Sequence, residues 1–383
     1  MEGEAASPGF RFTREEISGS LGDLGTFLPL TLGYITYCGL SPAPVFFFAG
    51  LWNVVTGILF RLPVPVQPMK AIAAVAIAEG MTPGEVVAAG ILMGGIVFLI
   101  GVLPVPGRLL SLAPRPVVRG IQLGIGLKLF LTGVEAIRPL PVFAWDSHLT
   151  GGVAVSLIVL SYVRQKVPAA LILFLFGFLL LGISKPWLFG GLNLQAWRPE
   201  IIIPSSAEWW SGFTRGTVAQ LPLTLLNSVV AVCALSGDLF PGRKIRETKM
   251  AQSVGTMNLI SCWFGGMPMC HGSGGLAAQY HFGARTGGSV LFLGGMKMAL
   301  GVAAATALLV PLQNFPHSIL GALLVFSGLE LSLPARDLAG REEFFVALLT
   351  AGLILSVNVT AGFLVGILFW GIFGGKKNGD PGR

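Results

Sequence analysis

Apolar runs, punctuated by Gly, Pro and charge, divide this chain into fourteen segments. They lie near 17–37, 43–60, 68–79, 83–103, 116–135, 148–163, 168–183, 215–236, 248–264, 272–283, 287–310, 316–331, 341–357 and 360–374. About 20 apolar residues cross the hydrocarbon core of a bilayer as a helix. Two segments, 68–79 and 272–283, are too short to do so. The longest polar interruption, Ser184 to Ser211, leaves seven segments on either side. The predicted fold class is an all-α polytopic membrane protein.

Composition agrees with that pattern. Only 11% of the residues are charged and 53% are hydrophobic, whereas a soluble domain carries about 25% charged residues. Most of the surface must therefore face something other than water, and the bilayer is the expected partner. With the N-terminus placed in the cytoplasm, the inner loops and tails hold 17 Lys and Arg, Arg108, Lys166 and Arg383 among them. The outer side holds only Arg138, Lys185, Arg198 and Arg215. The positive-inside rule thus predicts cytoplasmic N- and C-termini, in a plasma or inner membrane. Met1 to Glu16 lacks the pattern of a cleaved signal peptide.

The two halves share landmarks in register. Leu28-Pro29-Leu30-Thr31-Leu32 is matched by Leu221-Pro222-Leu223-Thr224-Leu225, and Gly50-Leu51-Trp52-Asn53 by Gly255-Thr256-Met257-Asn258. Pro63-Val64-Pro65-Val66-Gln67-Pro68 is matched by Met267-Pro268-Met269-Cys270-His271. Each of these last stretches opens into a small-residue segment that is too short to span. Seven is odd, so the second repeat must be inverted relative to the first. Inverted repeats with broken helices at matching positions mark a secondary transporter whose site lies near the midplane. The physical reason is that a helix start exposes unpaired N–H groups and about half a positive charge. Two such starts, meeting from opposite sides, would hold an anion without a buried cation. The extended stretches before them are expected to pair with each other.

The same residues resemble signatures of the molybdate transporter family within the sulfate permease superfamily. They are Gly22-Asp23-Leu24-Gly25-Thr26, Pro63 to Ala73, Leu223 to Val229, and Cys270 to Tyr280 continuing to Phe282-Gly283-Ala284-Arg285. The resemblance implies a seven-plus-seven inverted repeat, with a core of 17–103 and 215–310 moving against a gate of 116–183 and 316–374 in an elevator-like cycle. The connector would be 184–214 and the cytoplasmic tails 1–16 and 375–383, with no C-terminal regulatory domain expected. The transported anion would be molybdate, with tungstate or sulfate also accepted. A sulfate or bicarbonate carrier, or an anion channel on this scaffold, is the alternative. Related transporters are often homodimers, and the sequence leaves the oligomeric state open.

The candidate substrate-binding residues are Thr26, Gln67, Met69, Lys70, Ala71, Asn227, His271, Gly272, Ser273, Gly274 and Gly275. Gln67 can donate through its amide, and the glycines let backbone N–H groups approach a tetrahedral anion. Lys70, a cation on the first turn of a short helix, calls for an anion or a carboxylate such as Asp23. Asp23, Asp238 and Glu330 are the candidates for coupling or charge pairing, with Glu330 read as an interfacial helix-end charge. Gln279 and Arg285 would lie toward an inner vestibule. The four histidines, His148, His271, His281 and His317, are scattered along the chain and no GxxxxGKS loop occurs. An enzyme, an ATP-driven pump, a metal site, a cofactor and a nucleic-acid partner are therefore not expected.

Overall fold

The computed structural model describes residues 9–103, 114–164, 169–189, 197–304 and 309–377. Arg108, Lys166, Arg383, the tail residues 1–8 and 378–383, and part of the connector lie outside the described residues. Sixteen helices are described: α1 (Arg14–Ser20), α2 (Leu24–Cys38), α3 (Pro42–Phe60), α4 (Lys70–Glu79), α5 (Pro83–Val102), α6 (Arg115–Ile137), α7 (His148–Arg164) and α8 (Ala169–Ser184) in the first half. The second half holds α9 (Ser206–Leu239), α10 (Glu247–Ser261), α11 (Ser273–His281), α12 (Gly288–Ala304), α13 (Leu309–Gln313), α14 (His317–Ser332), α15 (Arg341–Ser356) and α16 (Val359–Lys377). Five helices, α3, α5, α6, α9 and the run His317–Asp337, are long and apolar enough to cross a membrane.

Local chemistry explains the boundaries. Thr82 and Glu85 form a capping box at the start of α5, and Ser205 and Glu208 form another at the start of α9. The second box moves the start of segment eight from 215 back to Ser206, so 206–214 is helix and not connector. Within α9 the stretches Gly212–Thr217 and Thr224–Ala231 are π-helical. Such wide turns shift side-chain register and concentrate at functional sites.

The packing repeats the inversion seen in the sequence. α3 lies along α12, while α5 lies along α10; exchanging the repeats converts one pair into the other. Small residues permit the close approach, since a methyl group on Gly50 would lie 2.5 Å from the Gly294 carbonyl. The second group consists of α6 against α14 and α15, with α16 packed on α15 and α6. Leu175, Leu179 and Ile183 form one exposed stripe on α8, and Leu364, Leu368 and Ile372 another on α16. Large apolar side chains exposed at i, i+4 and i+8 suit lipid and not water.

The broken segments are short indeed. α4 has 10 residues and α11 has 9, about 15 Å or half the hydrocarbon thickness. Their lead-in stretches, β1 (Gln67–Pro68) and β2 (Met269–Cys270), pair antiparallel with Gln67 opposite Cys270. Two further groups complete the strands' hydrogen bonding. Asn258 accepts from Met269 N at 2.7 Å and donates to its carbonyl at 2.6 Å. On the β1 side, Lys297 Nζ donates to Asn53 Oδ1 at 2.9 Å and to the Val66 carbonyl at 3.3 Å. Asn258 thus braces buried backbone directly, whereas its match Asn53 holds the Lys297 ammonium that does so on the β1 side.

Candidate substrate-binding site

β1 and β2 place the starts of α4 and α11 beside one polar cavity of ≈ 570 Å³. Gln67, Lys70, Asn227, Ser273 and Gly274 line it, together with Gln220 and Ser228 of α9. Its remaining wall comes from Gln122 of α6 and from Glu330, Arg336 and Asp337 at the end of α14 and in the turn after it. A smaller, more apolar cavity of ≈ 320 Å³ also includes Lys70, Gly274 and Glu330, and there Thr26 joins the lining.

The two helix starts differ. The first backbone bond of α11 runs from Leu276 N to the Gly272 carbonyl, so the amides of Ser273, Gly274 and Gly275 have no intrahelical partner. Ser273 Oγ donates to Asn227 Oδ1 at 2.5 Å, which fixes the hydroxyl beside α9. In α4, by contrast, Ala71 N and Ile72 N donate to Gln220 Oε1 at 2.8 and 3.3 Å. Gln220 was not foreseen, because only the tertiary structure brings it to a helix 149 residues away.

Behind the cavity lies a buried charge cluster. Gln67 Nε2 donates to Asp23 Oδ1 at 2.5 Å, and both residues are essentially inaccessible. One of the two hydrogens of that amide is spent on Asp23. Gln67 Oε1 and Asp23 Oδ2 have no hydrogen-bond partner. Lys297 Nζ also sits 3.6 Å from the centroid of the Phe27 ring. Lys297 is a functional-region residue that sequence reasoning missed as a candidate, although a lysine within an apolar segment was the signal. Gly275 closes the cluster, since a methyl group there would lie 2.6 Å from Asp23 Oδ1.

Several expected site residues sit elsewhere. His271 was expected to reach the ligand, but it is buried with Nε2 2.9 Å from Ser253 Oγ and Nδ1 2.9 Å from the Pro65 carbonyl. Both ring nitrogens are occupied by the scaffold. Met69 and Ala71 are fully buried and line neither cavity. Gly272 packs against Gln67, where a methyl group would lie 2.5 Å from Oε1. Gln279 is buried and accepts from Ser289 Oγ at 3.3 Å. Arg285 stacks 3.7 Å over the Tyr280 ring, beside a separate recess that includes His281. Asp238 lines neither cavity, whereas Glu330 lines both and is not merely a helix-end charge.

At the other end of α4 an ion cluster crosses between the two helix groups. Lys128 of α6 pairs with Glu79. Arg215 of α9 bonds Glu79 at 2.7 Å and Glu85 at 3.2 Å. Ser211 donates to Glu85 at 2.5 Å.

With this geometry in place, known proteins supply the comparison. A family profile described as "Molybdate transporter of MFS superfamily" matches residues 15–129 and 212–331. The chain is 39% identical to Molybdate transporter 1 of Arabidopsis thaliana, covering 94% of this chain and 88% of that protein. It is 36% identical to Molybdate transporter 2 of the same plant, over 93% and 86%. Molybdate transporter 1 of Chlamydomonas reinhardtii is 32% identical, over 94% and 91%. The fold is that of the transmembrane domain of the cyanobacterial bicarbonate transporter BicA, with a TM-score of 0.66 at 17% identity over 92% of this chain and 98% of that one. Murine Slc26a9, an anion transporter solved in the inward-facing state, gives 0.67 at 12% identity over 95% and 69%. On the match across both repeats and the identity along nearly the whole chain, this multi-pass membrane protein belongs to the molybdate transporter family and is a transporter, not an enzyme.

Proposed function

We propose that this protein is a secondary transporter that carries a tetrahedral oxyanion, molybdate first, across the membrane. The carrying observation is the α11 start, where unpartnered amides, Ser273 and the Lys70 ammonium share one cavity. Such a seat suits a compact dianion: backbone donors take the oxygens and Lys70 offsets charge without a metal. The relatives named as molybdate transporters favour that anion over sulfate or bicarbonate.

The division into two packing groups supports alternating access, with α1–α5 and α9–α12 as the moving core and α6–α8 and α14–α16 as the gate. Under the positive-inside orientation the cavity extends toward the cytoplasmic Arg336 and Asp337, while the Lys128–Glu79 pair joins core to gate on the outer side. This arrangement is the inward-open half of an elevator-like cycle. Glu330 is the carboxylate that shares the cavity lining with Lys70 and offsets its charge while the seat is empty.

Uptake of molybdate into proteoliposomes tests the reading, with tungstate, sulfate and bicarbonate as competitors. Saturable uptake that molybdate and tungstate inhibit best is expected. Absence of both uptake and saturable binding sinks it. A Glu330→Gln protein, which takes one negative charge out of the cavity lining, should bind molybdate at least as tightly as the native protein.

A further inference from the structure

Three helix starts in this protein are filled in three ways. The start of α14 is capped by a carboxylate: His317 N and Ser318 N donate to Asp146 at 2.9 and 2.8 Å. The start of α4 is capped by the carboxamide of Gln220, again through two consecutive amides. The start of α11 has no cap. A carboxylate is the better electrostatic match for a helix start, and Glu would reach as far as Gln, yet α4 is capped by a neutral group.

The orientation of that group is determined by its neighbours. Two N–H donors on one side require the oxygen there, and Nε2 donates to Thr224 Oγ1 at 2.9 Å on the other. Gln220 is only 2% exposed but lines the cavity with Lys70, Ser273 and Gly274. Gln67, fully buried on the same wall, packs its Oε1 against Gly272 and donates its amide to Asp23, so it does not compete for the α4 amides.

We propose that Gln220 is a built-in, uncharged stand-in for one anion oxygen: it occupies the α4 seat so that a single oxyanion is held by α11 and Lys70, and its neutrality sets the affinity for that dianion. This rests on reading the cavity as the oxyanion site, and deepens it. Gln220 is a positioning residue. A glutamate in its place would satisfy α4 equally well but would confront the substrate with a like charge at close range.

The test uses the purified full-length protein with sodium molybdate as the probe, titrated calorimetrically, and thermal unfolding as the control for folding. Gln220→Glu should unfold no earlier than the native protein, yet bind molybdate roughly tenfold or more weakly at neutral pH. Its affinity relative to the native protein should recover as pH falls and the new carboxyl protonates. Gln220→Ala, which frees the Ala71 and Ile72 amides toward the cavity, should bind at least as tightly as the native protein. Equal affinity of the Glu variant and the native protein overturns the proposal, since a purely structural cap would behave so. Loss of binding in a folded Ala variant overturns it too. A native protein that binds no oxyanion overturns both this proposal and the reading on which it rests.

Discussion

The starts of α4 and α11 occupy equivalent positions in the two repeats and meet the same cavity, but their surroundings have diverged. α4 begins Lys70-Ala71-Ile72-Ala73, with buried residues from Ala71 to Ile77 and two amides taken by Gln220. α11 begins Ser273-Gly274-Gly275, with no cap and with Gly274 facing open space. The difference teaches that inverted symmetry supplies two helix ends, while side chains decide which end serves structure and which a guest. On this view α4 is a scaffold helix that also presents Lys70, and α11 carries the backbone donors.

The largest expected effect comes from filling the open end. Ser273→Leu should abolish molybdate binding, measured by calorimetry, while leaving thermal unfolding nearly unchanged. Ala71→Leu, the parallel change on α4, should instead destabilise the protein by about 1–3 kcal/mol, because that position is close-packed. A reversed pattern would remove the contrast between the two ends.

Next in size, Gln67→Ala should raise the dissociation constant by the equivalent of about 1.5–3 kcal/mol, the value of a hydrogen bond to a charged group. The neighbouring glycines sharpen this. Gly275→Ala drives a methyl group into Gln67 and Asp23 and should weaken binding comparably, whereas Gly274→Ala meets nothing within 4 Å and should keep the fold.

Breaking the outer link is a smaller intervention. Lys128→Met removes the pair between α6 and Glu79, but Arg215 still neutralises that carboxylate. A partly exposed pair contributes about 1 kcal/mol or less. Labelling of a cysteine placed at the outer end of the cavity should therefore rise a few-fold, without loss of molybdate binding in detergent.

The smallest effect concerns the conventional cap. Burial alone would raise the Asp146 carboxyl, but hydrogen bonds from His317 and Ser318 outweigh it and hold the group down at about 2. A depressed carboxyl contributes stability that is present above its unfolded value of 3.8 and is lost as pH falls toward 2. Asp146→Ala should cost about 1 kcal/mol at neutral pH. It should also flatten the acid limb of the unfolding temperature measured between pH 5 and 2.

Much of this protein could be read along the chain. Bilayer thickness imposes span length, so apolar runs delimited the helices to within a few residues, segment eight aside. The Pro-rich stretches before two short segments announced broken helices, because backbone without helical hydrogen bonds needs partners inside a membrane. Ser273, Gly274, Gln67 and Lys70, read from the same breaks, line one polar cavity.

Roles that depend on distant neighbours were decided by the tertiary structure. His271 beside Cys270 looks available for ligand binding until Ser253 and the Pro65 carbonyl consume its ring nitrogens. Glu330 looks interfacial until the fold of α14 puts it in the lining of the same cavities as Lys70. Gln220 carries no motif at all. Its significance arises where the π-helical α9 crosses the start of α4. Sequence alone determined where the chain must be apolar and where a helix must break, since those demands come from solvent and backbone. Which polar group satisfies which helix end depends on contacts between residues some 150 to 200 positions apart, and only the packed fold supplies them.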